Sequence, residues 1–194
     1  MVAAAGYAVR GGPLARDLYQ YKSGHAPAQA AGEAAARLTE VLRAFLAEHG
    51  PGVWGAAGMA AGGPTVAAVV PSGQGRFGEH PLAAIVRACV DLPLVGLAVQ
   101  PAEVHARGVN VGWVRVAGPV AGADLLVVDD TWVSGGSAQS VAAALKRSGA
   151  RRVAIVVLGR HVNPADPRAE EFLAALSPTG APPRHEDETM TTRR

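Results

Sequence analysis

Asp124-Leu-Leu-Val-Val-Asp129-Asp-Thr-Trp-Val-Ser-Gly-Gly-Ser137 decides the fold. Four consecutive apolar residues running into acids read as a strand buried on both faces, because a half-solvated strand would alternate apolar with polar. Strands of that kind belong to parallel sheets covered by helices, and chemistry in such sheets gathers at the carboxyl ends of the strands. A helix is predicted from Gly136 to Ser148, with Val141, Ala142 and Leu145 on one face, Lys146 and Arg147 off it, and Gly149 as its stop.

Working outward, the same alternation recurs. Ala28 to Glu48 carries Ala31, Ala34, Leu38, Val41, Leu42 and Phe45 at helical spacing, and Gly50 and Pro51 predict its end. Gly52 to Gly63 reads as a connector. Thr65 to Val70 is a second buried strand, Pro81 to Val90 a helix, Pro93 to Val99 and Gly112 to Val116 further strands, Arg152 to Leu158 another, and Pro167 to Leu176 a last helix. Strands alternating with helices predict an α/β fold with a central, mostly parallel sheet flanked by helices. One domain over residues 1–176 is expected, followed by a Pro-, Gly- and charge-rich tail from Ser177 to Arg194 that cannot bury apolar surface.

Composition narrows the class. The 194 residues are 49% hydrophobic and 18% charged, which suits a compact body. No apolar run is long enough to span a bilayer and no leader pattern opens the chain, so the cytoplasm is the expected compartment, with no membrane partner. The net charge is only +2, aromatics are 5%, and no basic stripe is interleaved with them, which argues against nucleic acid as a partner. The lone cysteine, Cys89, sits among apolar residues and reads as a small buried hydrophobe.

The chemistry lies between the decisive strand and its helix. Adjacent carboxylates, Asp129 and Asp130, repel each other unless a cation or sugar hydroxyls use them. Ser134, Gly135, Gly136 and Ser137 supply what an anion needs: hydroxyl donors, approachable backbone amides and the positive end of a helix. An ordinary βα turn is the plain alternative for either half alone. Both halves in register suggest one ligand with hydroxyls at one end and a phosphate at the other, the shape of a phosphorylated ribose.

Val127 to Ser137 resembles the phosphoribosyl pyrophosphate (PRPP) signature of type I phosphoribosyltransferases: an apolar pair, an acidic pair, three variable residues, then hydroxyl, Gly, any residue and hydroxyl. Upstream, Arg107-Gly-Val-Asn-Val111 is similar to a stretch of the ComF branch, associated with competence and DNA uptake. The cysteine zinc ribbon that often opens that branch cannot be built from one cysteine, and its early Leu-Lys-Tyr pattern is only loosely echoed by Tyr19-Gln-Tyr-Lys-Ser-Gly24. The resemblance implies the type I fold with a flexible hairpin loop, here Gln100 to Asn110. It implies Mg2+ carried by PRPP with no direct protein ligand. It also implies that Thr131 joins Ser134 to Ser137 in holding the 5'-phosphate, a pyrophosphate loop at Ser72, Gly73, Gln74, Gly75 and Arg76, and catalytic roles for Asp129, Asp130 and Arg107, the last stabilising departing pyrophosphate with His105 nearby. Gly73 to Gly78 also spells a dinucleotide-binding glycine pattern, which a proline separates from its strand.

The expected activity is transfer of 5-phosphoribosyl from PRPP to a small-molecule nitrogen acceptor. A second copy of the chain is a candidate partner. A PRPP- or nucleotide-sensing module, or a ComF-like accessory to DNA uptake, is the alternative on the same fold. Tyr7, Tyr19, Tyr21, Trp54, His161 and Asn163 are candidate acceptor contacts without a decisive spacing.

Overall fold

The computed structural model describes residues 1–72, 80–100 and 108–176. In chain order they form β1 (Val2–Ala4), β2 (Tyr7–Val9), α1 (Pro13–Gln20), α2 (Ala28–Ala56), β3 (Val66–Val69) and α3 (Leu82–Cys89). Then come β4 (Gly96–Val99), β5 (Val114–Ala117), β6 (Asp124–Trp132), α4 (Gly136–Arg147), β7 (Arg152–Val162) and α5 (Pro167–Leu176). A first compact unit covers Met1–His161, and a second begins at Val162 with α5 as its described helix.

The expected sheet is present. Its strands run in the order β1-β7-β6-β3, with β2 also pairing β7. The β1·β7, β6·β7 and β3·β6 ladders are all parallel. β6 is central because Leu125, Leu126, Val127 and Val128 are all fully buried, and alternate residues serve opposite faces. Leu126 and Val128 join Ala154, Val156 and Leu158 against α2 and α3, through Leu38, Leu42, Leu82 and Val86. Leu125 and Val127 join Val153, Ile155 and Val157 against Val141 and Leu145 of α4 and Trp113. Each such side chain contributes about 1.5 to 3 kcal/mol on leaving water, so both faces pin the strand's register.

Asp124, at the start of β6, has no exposed surface. Arg151 clasps it with Nε at 2.8 Å and Nη2 at 2.6 Å. Those hydrogen bonds hold the Asp124 carboxyl below its usual range against the cost of burial, so this acid is structural.

Three sequence expectations need correction. α2 does not stop at Gly50 and Pro51 but runs to Ala56. Pro51 is exposed, whereas Gly50 and Val53 are buried and Trp54 is packed against the core. A helix-interior proline costs about 3 kcal/mol, which burial of Val53 and Trp54 offsets at about 1.5 to 3 kcal/mol each. The segment from Pro93 touches the main sheet at a parallel bridge between Leu94 and Ala67 of β3, but the strands that follow near Pro93 and Gly112 pair with each other outside it. They become β4 and β5, an antiparallel pair from Gly96↔Ala117 to Val99↔Val114, which is a hairpin stem. β7 extends to Val162, beyond the expected Leu158. The elements β1, β2 and α1 lie where no prediction was made. Cys89 is half-buried as a core-packing residue, its thiol donating to the Thr39 carbonyl at 3.4 Å, and burial raises its pKa.

Candidate functional site

The parallel ladder carries Asp129 and Asp130 to the carboxyl end of β6, with Asp129 opposite Val157 and Thr131 opposite Gly159 of β7. Both acids are buried, 8% and 7% exposed. The Asp130 N–H donates to Asp129 Oδ1 at 2.9 Å, which fixes the orientation of the first carboxylate by the backbone of the second.

Their surroundings drive the two acids apart. Burial, and then the charge of Asp130, push the Asp129 carboxyl up to about 7. Asp130 suffers the same burial but is held below its usual range by Lys22 and by hydrogen bonds from Lys22, Tyr21 and Thr131. Lys22 Nζ donates to Asp130 Oδ2 at 2.8 Å, and the Tyr21 hydroxyl donates to the same oxygen. At neutral pH one acid is therefore an ionised acceptor, and the other carries a proton for about half the time.

Tyr21 and Lys22 reach Asp130 because α1 is fastened. Asp17 of α1, nearly buried, is gripped by Arg37 of α2 through Nε at 3.0 Å and Nη2 at 2.8 Å. Tyr21 then caps the helix, its N–H bonding to the Asp17 carbonyl at 3.0 Å. The helix end thus hands two consecutive side chains to the acid.

On the other side of Asp129 and Asp130 the chain turns into α4. Gly135 is the N-cap at φ +78°, with no side-chain cap and no acidic residue in the first turn to oppose the helix dipole. A Cβ at Gly135 would stand 2.1 Å from Trp132 Cζ2. The glycine is thus required by the indole lying against it as well as by its dihedral angle. Ser140 ties the start of α4 to the hairpin stem: its hydroxyl donates to the Gly136 carbonyl at 2.6 Å and accepts the Asn110 N–H at 2.8 Å. Asn110 Oδ1 in turn accepts the Gly112 N–H at 2.9 Å, so this asparagine shapes the hairpin's return.

One cavity of about 400 Å3 gathers these groups. Lys22, Asp129, Asp130 and Thr131 line one part, with Ser137 from α4, Ser72 after β3, and His80 ahead of α3. That volume lies within the range of about 300 to 1,000 Å3 usual for small-ligand sites. Of the predicted residues, Asp129, Asp130, Thr131, Ser137 and Ser72 therefore meet, whereas Ser134, Gly135 and Gly136 form the turn behind them without lining the cavity. Gly73, Gln74, Gly75, Arg76 and Arg107, like His105, lie outside the described residues. Sequence reading missed Lys22 and His80, and it offered Tyr21 only as an acceptor contact. Lys22 stands 108 positions from its partner, and its signals were being one of only two lysines and lying in the Tyr19 to Gly24 segment that loosely echoes the Leu-Lys-Tyr pattern.

The cavity offers carboxylate acceptors together with hydroxyl and ammonium donors. Among the described residues no group of three or more His, Cys, Asp or Glu side chains could hold a metal ion. Among them, too, no helix is long and apolar enough to cross a membrane.

Neither a family model nor a curated protein matches the chain. Among the solved structures similar to it are two phosphoribosyltransferases. A purine phosphoribosyltransferase from Pyrococcus horikoshii Ot3 is 17% identical, covers 68% of this chain and 88% of its own, and gives a TM-score of 0.39. A Mycobacterium tuberculosis H37Rv orotate phosphoribosyltransferase in complex with inorganic phosphate is 21% identical, covers 84% of each chain, and gives a TM-score of 0.40. Neither likeness speaks for the ComF branch in particular.

Proposed function

We propose that this cavity binds a phosphorylated ribose and that the protein is a phosphoribosyltransferase acting on PRPP. The observation that carries the reading is the meeting of Asp129 and Asp130 with Ser137 of the uncapped α4 amino terminus in one cavity. Asp130 accepts from a ribose hydroxyl and, with Asp129, offsets positive charge growing at C1. Thr131, Ser137 and the turn from Ser134 to Gly136 take the 5'-phosphate. Ser72, with Gly73 to Arg76 after it, takes pyrophosphate, and Arg107 supports it as it leaves.

In the reaction an acceptor nitrogen lone pair forms the bond to C1, the C1–O bond to pyrophosphate breaks with its electrons on oxygen, and the nitrogen loses a proton. The acceptor is a small molecule such as a nucleobase. The donor set fits Mg2+ arriving on the pyrophosphate, because among the described residues the acids lining the cavity number two and Lys22 already neutralises one. When bound, Mg2+ supplies charge neutralisation to the leaving pyrophosphate.

Incubation with PRPP, Mg2+, the five common bases and orotate, with pyrophosphate release as the readout, tests this. Release that depends on one base supports transfer. A second reading, a PRPP- or nucleotide-sensing module or a ComF-like accessory, is favoured by the Lys22–Asp130 pair, which spends part of the negative charge a transferase would use. Tight PRPP binding without release in any mixture would select it.

A further inference from the structure

The segment Tyr19 to Gly24 has no part in the transfer just described, yet the structure sends two of its residues to the centre of the site. Tyr21 is 6% exposed and its hydroxyl donates to Asp130 Oδ2. The Lys22 ammonium reaches the same oxygen at 2.8 Å while its side chain keeps 33% of its surface exposed, against 10% for Asp130. We propose that Tyr21 and Lys22 are positioning residues that keep Asp130 an ionised, aimed acceptor for a sugar hydroxyl, and that Lys22 is an exchangeable counter-cation which passes to the ligand's anionic group on binding. The inference rests on the phosphoribose reading of the cavity.

Three features carry it. Tyr21 and Lys22 both meet one carboxylate oxygen, Oδ2, so that oxygen is charge-assisted and fixed, and Thr131 adds a further hydrogen bond to the same carboxylate. The two donors differ in mobility. Tyr21 is locked in the core by the end of α1, whereas Lys22 lines both the main cavity and a shallower groove of about 190 Å3, where Tyr19 and His161 also lie. Lys22 therefore has room to leave Asp130 without unfolding anything. Its place is also apt, since Ser72 and Ser137, the residues expected to meet anions, line the same cavity.

The consequence of losing Lys22 follows from what faces Asp130. Asp129 comes from its own strand, Tyr21 and Lys22 from the end of α1, and His80 lies across the cavity. Without the ammonium, two adjacent buried carboxylates share a proton, and Asp130 ceases to be a pure acceptor.

The test is PRPP binding with Mg2+, by calorimetry across the neutral range, for wild type, Lys22→Met, Lys22→Arg and Tyr21→Phe. It is paired with carbon-13 carboxyl titration of Asp130 in the free proteins. Lys22→Met is expected to weaken PRPP about tenfold to a hundredfold and to make affinity rise with pH where the wild type's Asp130 contribution is flat. Its Asp130 carboxyl should titrate higher. Lys22→Arg should restore both the affinity and the profile, which a merely structural lysine would not require. Tyr21→Phe keeps the ring in place and should weaken binding less, with the same direction of titration shift. If wild type binds PRPP and Lys22→Met matches it in affinity and pH profile, the inference is overturned while the phosphoribose reading stands. If wild type does not bind PRPP at all, the phosphoribose reading fails and the acceptor role falls with it.

Discussion

Replacing Gly135 with alanine should disturb both fold and binding, and the two contributions can be separated. Gly135 sits at φ +78° and ψ 2°, where an L side chain costs roughly 1 to 2 kcal/mol. Its Cβ would also stand 2.1, 2.4 and 2.5 Å from Cζ2, Cη2 and Cε2 of Trp132. Carbon contacts are comfortable near 3.5 to 4 Å, so the indole must move by more than about 1 Å. Trp132 packs against the α4-side cluster, and forced repacking of that kind costs about 1 to 3 kcal/mol. Gly135→Ala should therefore lose about 2 to 5 kcal/mol by urea denaturation. With Trp132→Ala as the background, only the dihedral cost should remain, leaving a coupling of about 1 to 3 kcal/mol. Calorimetry with inorganic phosphate should show weaker binding in Gly135→Ala, because the first amides of α4 shift with the turn. A Gly135→Ala protein within about 0.5 kcal/mol of wild type, or an equal penalty in both backgrounds, would refute the steric argument.

Asp129→Asn should change how stability depends on pH. The folded protein raises this carboxyl from 3.8 to about 7, so it binds the proton more tightly than the unfolded chain, and the carboxyl destabilises the fold as pH climbs through that window. The full cost, on the order of 4 kcal/mol, is present above about pH 7 and vanishes below about pH 4. The variant should thus exceed wild type in urea midpoint near pH 8 and converge with it as pH falls; a gap that is constant with pH would contradict the assignment. Ser140→Ala should lose about 1 to 3 kcal/mol, since the Asn110 N–H is left without its acceptor and the Gly136 carbonyl without the hydroxyl. Amide exchange at Asn110 should quicken in that variant, and unchanged protection there would count against the tether.

The centre of the fold was legible because β6 and α4 announce themselves locally. Leu125 to Val128 form an unbroken apolar run, and Gly149, at φ +96°, ends α4 as its position suggested. β1 and β2 were illegible because three residues carry no period, and only pairing with β7 makes them strands. Gly50 and Pro51 misled for the opposite reason: a strong local stop was overridden by tertiary burial of Val53 and Trp54. At the site, the acids and Ser137 were legible because they lie within one stretch of nine residues. Lys22 and Tyr21 were not, because their relation to Asp130 exists only after α2 has clamped α1 through Arg37 and Asp17. Gly135 was singled out as a turn glycine for an approaching anion, and no spacing rule reveals that Trp132 folds back over it.

The charge on the acid pair sets how far this site can carry chemistry. With Asp130 neutralised by Lys22 and Asp129 half-protonated, the three groups together hold a charge between zero and minus one at neutral pH. A neutral ribose meets little repulsion or attraction there, so recognition at that end comes from directed hydrogen bonds. A ribosyl group gaining positive charge meets a different site. Approach of a cation favours the ionised form of Asp129 and so lowers its pKa. The same ligand, by drawing Lys22 toward its phosphates, uncovers the charge of Asp130. Both changes add negative charge at the moment it is useful, and neither requires a carboxylate to stand buried and unpaired beforehand. At Asp130 the ammonium offsets the burial in the free protein, whereas at Asp129 the burial is a cost that its proton relieves only as pH falls. A module that only sensed its ligand could keep the Lys22–Asp130 pair closed and its charge spent, whereas a transferase must release it, so the fate of Lys22 on binding separates the two readings more sharply than affinity alone.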